Sequence, residues 1–450
     1  MNIWTFTEDL LDLHDFSDRL ERFIETELDF VEGSLVVALS SKFGSGKTTF
    51  LRMWQTALEA APEAEGKPLV ISLNAWESDY YGDPLFAIIS ALAETIQRKD
   101  QESAEKLRGK AKRLGQLTVT MGSQLLNKHI GIDPIAANKI VEAKQTEHAE
   151  FRRGIPDTFT RYEDRKRAMA SLKGEIDEFV SSKHRVLFLV DELDRCRPDY
   201  AITYLETIKH IFDIKGTVFL LAADRKQLEN SAKTAFGSDL DFEEYYRRFV
   251  HREVTLPPIS DAGYGKLAEK YVNWYLEREG SRFCFMKLDS YRVENIRELI
   301  VGLKLTPRQI QEVFRILGHL FAVPEHKRGQ LRWCIAVGSI AMAAFKVGKP
   351  DFFCALGGGR LDPKAVADFL SHTVGSDVEW WFILFLTGEG LLTKKGETMK
   401  EIAMRAGFTE SESPHLHNDH NLHQWNQGWG YSTNCFKQIY DKIQQISQWD

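Results

Sequence analysis

The 450 residues of this chain are enough for two or three domains with a large hydrophobic core. Hydrophobic residues make up 43% and charged residues 27%, as in ordinary globular proteins, and the net charge of −7 argues against a broad basic surface for nucleic acid or anionic lipid. Five scattered cysteines without a C-x-x-C pair argue against a disulfide framework and favour the reducing cytoplasm. The amino-terminal residues lack the basic segment and apolar core of a secretion signal.

Five short apolar runs predict the strands of a buried sheet. They lie at 34–40, 68–76, 185–194, 216–224 and 252–258. Helical periodicity separates them, at 48–61, 83–97 and 200–212. Because strands that alternate with helices form parallel sheets covered on both faces, we expect a three-layer α/β/α fold.

Residues 98–183 interrupt this alternation with many charged side chains. They predict a largely helical insertion whose longest helix, at 161–180, is solvated. Beyond residue 260 the spacing is helical. We expect a sheet domain in two parts (1–97 and 184–260), the insertion (98–183), a helical lid-like domain (261–355) and a carboxy-terminal accessory region (356–450).

Two strongly apolar segments are the best membrane candidates, CIAVGSIAMAAF at 334–345 and WWFILFL at 380–386. Both are shorter than the ~18 to 20 apolar residues that cross a bilayer. We expect each to be a buried core element, and we expect no membrane span.

The segment SKFGSGKTTF at 41–50 follows a strand, precedes a helix and resembles the phosphate-binding pattern G-x-x-x-x-G-K-[ST]. In such a loop, backbone N–H groups and the positive end of the following helix hold the β-phosphate. Lys47 would neutralise the β- and γ-phosphates, and the Thr48 hydroxyl would bind Mg²⁺. The predicted nucleotide-binding residues of the loop are Ser41, Phe43, Gly44, Ser45, Gly46, Lys47, Thr48 and Thr49.

The loop departs from the pattern at its first position, where Ser41 replaces glycine. Serine is small, and we expect the replacement to cost only about 1 kcal/mol of backbone free energy. Nucleotide binding is therefore predicted. A scaffold that binds nucleotide without hydrolysing it is the alternative that Ser41 leaves open.

VLFLVDELDR at 186–195 places two acidic residues at the end of an apolar strand. Asp191 is predicted to hold Mg²⁺ through its water shell, and Glu192 to orient or deprotonate the attacking water. An extra strand between the loop and this acidic pair indicates the additional-strand, catalytic-glutamate division of P-loop NTPases. No N-K-x-D motif for guanine is present, since NKHI at 127–130 lacks the Asp, so we expect ATP rather than GTP.

Six segments together resemble the KAP family of P-loop NTPases over roughly residues 15 to 320. The segments are FGSGKTT, LNAW, VDELDRCRPDYAITYLETIKHIF, VFLLAADRKQLE, YYRRFVHREVTLP and TPRQIQEVF. The D-E-L-D-R-C block is the most specific of them. The resemblance implies an Mg²⁺-dependent ATPase that acts as a switch or an assembly motor.

The resemblance also implies roles for residues around the nucleotide. Asp194 and Arg195 match the family's extended acidic motif and would brace the site. Asp224, at the end of the fourth predicted strand, occupies a sensor-like position for the γ-phosphate. Arg308 sits where a second sensor arginine would close the helical lid.

Arg247 or Arg248 matches the place of an arginine finger that reaches into a neighbouring subunit, so the resemblance implies a homo-oligomer. With Lys47 and Glu192 they complete the predicted catalytic set. Bacterial relatives are associated with phage exclusion, which implies a defence role beside a separate effector protein. Many relatives carry membrane-spanning helices before the acidic strand, whereas the insertion here is polar, so membrane anchoring is not expected.

Two further features leave alternatives open. Basic clusters at 106–113 and 165–167 are compatible with an ATPase that nucleic acid stimulates. The tail is rich in histidine, but the spacing matches no standard zinc pattern, so we expect a polar loop that packs through its aromatic residues, against a partner protein. The tail residues concerned are His415, His417, His420, His423, Trp425, Trp429 and Tyr431.

Overall fold

The computed structural model describes residues 5–41, 44–62, 67–98, 100–122, 158–183, 185–277, 290–321, 332–374, 377–409, 413 and 419–446. Contacts divide the chain into two compact units. The first consists of Met1–Asp9 and Leu13–Pro257, and the second of Leu10–Asp12 and Pro258–Asp450. All five predicted strands are confirmed, and they lie in the first unit.

The first unit is built on one parallel sheet. Its strands are β1 (Leu35–Ser40), β2 (Leu69–Asn74), β3 (Val186–Asp191), β4 (Thr217–Ala223) and β5 (Arg252–Thr255). Their order is β2-β3-β4-β1-β5, and every neighbouring pair is parallel. β4 therefore separates β1, which leads into the phosphate loop, from β3, which ends at Asp191. This is the additional-strand arrangement that the sequence predicts.

Helices cover both faces of the sheet, because β1, β3 and β4 are apolar on both sides. They are α1 (His14–Leu28), α2 (Lys47–Ala60), α3 (Ala75–Asp79), α4 (Pro84–Gln97), α5 (Gln101–Gly122), α6 (Thr158–Lys183), α7 (Pro198–Ile211), α8 (Arg225–Phe236) and α9 (Phe242–Arg247). Trp54 of α2 lines a small cavity with Leu187 and Val218 on one face. On the other face, Phe188 and Phe219 stack at 4.5 Å in a core that includes α4 and α7.

The charged insertion is helical where the structure describes it, and α5 packs against α6. The prediction that α6 is a solvated helix was wrong for one of its faces. Ala168, Leu172, Ile176 and Val180, spaced by four residues, are buried in the same core as the sheet. The charged residues between these four positions make the overall composition of the segment polar, so composition alone did not indicate a buried face.

The second unit is helical in its described residues. Its helices are α10 (Asp261–Glu277), α11 (Ser290–Gly302), α12 (Pro307–Leu320), α13 (Trp333–Gly348), α14 (Pro350–Gly357), α15 (Pro363–Thr373), α16 (Val378–Thr387), α17 (Met399–Ala406), α18 (Asp419–Trp429) and α19 (Cys435–Ile446). The two apolar segments form α13 and α16, and both are buried as predicted. None of the described helices combines the length and the apolar character needed to cross a bilayer.

The histidine-rich tail differs from the predicted polar loop. His420 and His423 belong to α18, whereas His415 and His417 lie outside the described residues. Trp429 is buried against Phe436 of the same unit, so its aromatic ring packs within this chain. Trp425 is buried beside other indoles of the same unit in the same way. Neither tryptophan is left to contact a partner protein, and only Tyr431 of the three aromatic residues is exposed.

Candidate nucleotide-binding site

The phosphate loop joins the end of β1 to the start of α2. Gly44 and Gly46 have φ angles of 81° and 99°, a left-handed backbone that residues with a Cβ rarely adopt. Gly46 is the N-cap of α2, so the first N–H groups of α2 lack helical partners at the positive end of its dipole. The Ser45 Oγ is buried without a hydrogen-bond partner among the described residues. A bound phosphate would satisfy these donors. Phe43, also predicted here, lies outside the described residues.

Ser41 is held by the strand at the edge of the sheet rather than straining the loop. Its hydroxyl accepts a hydrogen bond of 3.1 Å from the backbone N–H of Leu256, just after β5. The Ser41 carbonyl in turn accepts from the Lys47 ammonium, which is only 9% exposed. The serine hydroxyl therefore anchors the loop to Leu256. The Lys47 contact uses the backbone carbonyl and places a buried positive charge beside the amino end of α2 whichever residue stands at position 41. Thr49 follows in the first turn of that helix and is half-buried.

The two predicted Mg²⁺ ligands contact each other. The Thr48 hydroxyl, in the first turn of α2, lies close enough to the Asp191 carboxylate at the end of β3 to interact with it. Burial raises the pKa of the Asp191 carboxyl above its ordinary value, and the interaction with Thr48 opposes this shift. A divalent cation next to this carboxylate would relieve the cost of burying its charge.

Glu192 follows Asp191 and turns away from the strand with a φ of 61°, unusual for a residue with a side chain. One of its carboxylate oxygens, Oε1, lies 2.6 Å from an Arg195 guanidinium nitrogen. The other, Oε2, accepts a hydrogen bond of 3.3 Å from the Asn74 side-chain amide. Glu192 is only 15% exposed, so its carboxylate is fixed inside the site rather than free in solvent.

Asn74 is a site residue that the sequence analysis missed. It is the last residue of β2 and pairs in register with Asp191 of β3, so both side chains lie at the same edge of the sheet. Asn74 also caps α3, because its side-chain oxygen Oδ1 accepts hydrogen bonds from the backbone N–H groups of Trp76 and Glu77. The available signal was a polar residue directly after the apolar run of β2, within the segment LNAW.

Asp194 and Asp224 connect the ends of β3 and β4. The Asp194 carboxylate accepts a hydrogen bond of 3.0 Å from the Asp224 backbone N–H. The Asp224 side chain caps α8 by accepting from the Lys226 N–H at 3.0 Å. Asp224 thus lies just beyond the end of β4, the strand that pairs with β3 and its last residue Asp191. Whether it contacts a phosphate stays a prediction.

The three predicted arginines lie in α9, directly after it and in α12. Arg248 is exposed and forms an ion pair of 2.8 Å with Glu244, one turn earlier in α9. Arg247 is exposed and makes no ion pair within the described ranges. Arg308 lies in the first turn of α12, in the second unit. The roles of all three in catalysis stay predictions.

The oxygen donors at this site fit Mg²⁺ rather than a metal with an all-protein ligand set. Mg²⁺ commonly takes one or two carboxylates, and the rest of its ligands come from water and substrate phosphates. Thr48 and Asp191 supply one hydroxyl and one carboxylate at the end of the loop. No group of three or more His, Cys, Asp or Glu side chains within the described ranges could hold a metal ion by itself.

Comparison with known proteins gives a family for this chain. The model of the KAP family P-loop domain matches residues 15–322. No curated protein matches the sequence. Among solved structures, the ORC2 protein of Aeropyrum pernix in ADPNP–ADP complexes is 13% identical, with a TM-score of 0.36 over 98% of this chain and 95% of that chain. The ADP form of the same protein gives 13% identity and a TM-score of 0.35 over 96% and 94%. Similarity this low carries no argument about ligands or partners.

Proposed function

Because the chain belongs to the KAP family of P-loop domains, we propose that it binds ATP with Mg²⁺ and hydrolyses it. The observation that supports this proposal most strongly is the proximity of the Thr48 hydroxyl to the Asp191 carboxylate, directly beside the loop that carries Lys47. A hydroxyl and a carboxylate in contact at the amino end of a helix form the two protein ligands of a Mg²⁺–phosphate site.

In the proposed complex, the loop holds the triphosphate by its backbone. The N–H groups at the start of α2 point toward the β-phosphate, and the helix dipole favours its negative charge. The Lys47 ammonium leaves the Ser41 carbonyl, or shares it, to contact the phosphate oxygens. The Ser45 hydroxyl gains the partner that it lacks in the described structure. Thr48 and Asp191 hold Mg²⁺, which when bound neutralises charge on the phosphates.

For hydrolysis, Glu192 is the group that accepts a proton from the attacking water. The water oxygen forms a bond to the terminal phosphorus while the bond to the bridging oxygen breaks. The products are ADP and inorganic phosphate. Asp224, held at the end of β4 by Asp194, reports the presence of the terminal phosphate to α8, which it caps.

The cycle of binding and hydrolysis acts as a switch in an assembly of identical chains. Arg247 is exposed and makes no ion pair in the described part of the chain, so its guanidinium is available to the nucleotide of a neighbouring copy. Arg248 already has a carboxylate partner, which favours Arg247 as the finger. Arg308 of α12 is the residue through which the helical unit responds to the nucleotide, and a separate effector protein receives that response.

The structure gives less support to the two alternatives. The replacement of glycine by Ser41 was the reason to consider a scaffold that binds nucleotide without hydrolysing it. The Ser41 hydroxyl, however, anchors the loop by accepting a hydrogen bond from the Leu256 N–H. The basic clusters were the reason to consider stimulation by nucleic acid, yet three of their cationic side chains are paired with carboxylates of α5 or α6. These pairs are Lys106 with Glu102, Lys110 with Glu175 and Arg167 with Glu163. Adding DNA or RNA to the ATPase assay at low salt tests the second alternative directly.

The test of the proposed function compares Lys47→Ala with Glu192→Gln. We expect wild type to bind and hydrolyse Mg-ATP, and Lys47→Ala to lose binding because the buried charge is gone. Glu192→Gln should bind ATP like wild type while turnover falls by about 10² to 10⁴. Wild-type protein that binds ATP without turnover would favour the scaffold, and undiminished turnover in Glu192→Gln would remove Glu192 from its role.

A further inference from the structure

The Glu192 carboxylate is held by donors at both of its oxygens. Arg195 lies 2.6 Å from Oε1, and Asn74 donates to Oε2 at 3.3 Å. A base must direct an oxygen at the proton that it removes, within hydrogen-bond distance of the water. A carboxylate oxygen in a short ion pair takes its orientation from the guanidinium, although its second lone pair can still accept from a water. The short charge-assisted contact therefore fixes the orientation of the Glu192 carboxylate independently of the attacking water.

Arg195 is in turn positioned by an aromatic ring at the surface. Its guanidinium carbon lies 5.5 Å from the centre of the Trp76 ring, within the range of a cation–π contact. Trp76 is in α3 and is 51% exposed, so this contact lies at the surface of the first unit. The ring thus stabilises the guanidinium in the place from which it reaches Glu192.

The second donor to Glu192 is connected to the same helix. Asn74 caps α3 by accepting from the Trp76 N–H at 3.0 Å and the Glu77 N–H at 3.2 Å. Its amide also donates to the Glu77 carboxylate at 3.2 Å. The beginning of α3 therefore contacts both groups that hold Glu192, Asn74 through its cap and Arg195 through Trp76. A shift of this short helix would move both at once.

We propose that Arg195 is an inhibitory positioning residue, which withdraws Glu192 from the attacking water, and that Trp76 keeps it in that place. This inference rests on the proposed function, because it concerns the rate of the same hydrolysis. Release of Arg195 from Trp76 frees Oε1 of Glu192 to face the water. The exposed start of α3 is then the part of the surface from which the rate of hydrolysis is controlled.

The test measures single-turnover hydrolysis with saturating Mg-ATP, together with the Kd for ATP. Arg195→Gln and Trp76→Ala should each raise the single-turnover rate constant by about two- to fivefold, which corresponds to the free energy of an exposed cation–π contact. The Kd for ATP should change little. Trp76→Phe keeps an aromatic ring and should remain close to wild type. Tyr80→Ala is the matched control, since Tyr80 is 90% exposed on the same surface segment, and its rate should be unchanged.

Thermal unfolding of each variant separates a change in rate from a loss of structure. If Arg195→Gln or Trp76→Ala, folded and with unchanged Kd, hydrolyses ATP more slowly than wild type or at the same rate, Arg195 does not restrain Glu192 and the inference is overturned, while the proposed ATPase function stands. If wild type binds no nucleotide, the proposed function fails and takes this inference with it. If Trp76→Phe is as fast as Trp76→Ala, the aromatic contact is not what holds Arg195.

Discussion

The Thr48 hydroxyl at the start of α2 lies beside the Asp191 carboxylate at the end of β3, although the strand β4 lies between β3 and the strand that precedes α2. Parallel strands bring their carboxyl ends to one edge of the sheet, so residues far apart in sequence meet there. We propose that Mg²⁺ binds between these two side chains, and the proposed hydrolysis of ATP requires the metal at this place.

Asp191→Asn tests the metal site. The amide keeps the shape of the side chain but loses its charge, so Mg²⁺ should no longer strengthen ATP binding, and turnover should fall by at least about 10². Titration calorimetry with ATP, with and without Mg²⁺, measures the effect on binding. Asp199→Asn is the control, because Asp199 is an exposed carboxylate in the first turn of α7. Equal Mg²⁺ dependence in Asp191→Asn and wild type would contradict the assignment.

Ser41→Gly restores the glycine of the phosphate-loop pattern, yet it should destabilise the protein. The substitution removes the acceptor of the Leu256 N–H and leaves that partly buried donor unpaired. The expected loss is about 1 to 3 kcal/mol in the free energy of unfolding, measured by urea denaturation. Ser41→Ala should lose a similar amount, because the hydroxyl is missing in both variants. A gain of stability in Ser41→Gly would show that the strain of serine outweighs its hydrogen bond.

His251 should make the first unit less stable in mild acid. Its Nδ1 accepts a hydrogen bond of 3.0 Å from the Val36 N–H of β1, which requires the neutral ring. Burial lowers the pKa of His251 below its ordinary value of 6.5, so the unfolded chain binds the proton more readily than the folded one. The contribution of His251 to the stability of the folded state should therefore be complete above pH 6.5 and should decrease as the pH falls below this value.

Thermal unfolding between pH 8 and pH 5 measures this dependence. The matched variant is His251→Asn, whose side-chain oxygen can take the place of Nδ1 as acceptor without titrating. The decrease in midpoint between these pH values should be smaller in His251→Asn than in wild type. Equal decreases would assign the acid sensitivity to other groups.

Glu298 should give the second unit the opposite dependence on pH. Burial raises the pKa of its carboxyl to about 7, while the hydrogen bond of 2.8 Å from the Trp381 indole opposes the shift. The folded state holds this proton more tightly than the unfolded state, so its contribution to stability is complete below 4.5 and is lost as pH rises to about 7.

Glu298→Gln removes the titrating group and keeps an acceptor for Trp381. Its unfolding free energy should lose less between pH 5 and pH 8 than that of wild type, by on the order of 1 kcal/mol after allowance for partial exposure. Denaturation at the two pH values gives this difference. A larger loss in Glu298→Gln than in wild type would contradict the direction of the shift.

The sequence predicted the centre of the sheet well because β1, β3 and β4 are continuous apolar runs. The apolar run before Asp191 is an example, since burial on both faces leaves a pattern that composition alone reveals. The helical face of α6 was hidden because its buried residues are separated by charged ones. A search for the four-residue spacing of Leu172 and Ile176 would have found it.

The contacts that tune the site could not be predicted in the same way. Ser41 and Leu256 are 215 positions apart, and their hydrogen bond follows only from the place of β5 beside β1. The contact between Asn74 and Glu192 spans 118 positions and depends on the register of β2 with β3. Polarity at a strand end indicates that a residue belongs to the site, but its partner depends on the tertiary structure.

A crystal structure with Mg²⁺ and a non-hydrolysable ATP analogue is the most direct test of the proposed Mg²⁺–phosphate site. We expect Mg²⁺ bonded to the Thr48 hydroxyl at about 2.0 to 2.1 Å, Asp191 bound to the metal directly or through one of its waters, and the phosphates on the N–H groups at the start of α2. A nucleotide seated elsewhere in the chain, or a loop with no phosphate density at saturating nucleotide, would contradict the proposed site.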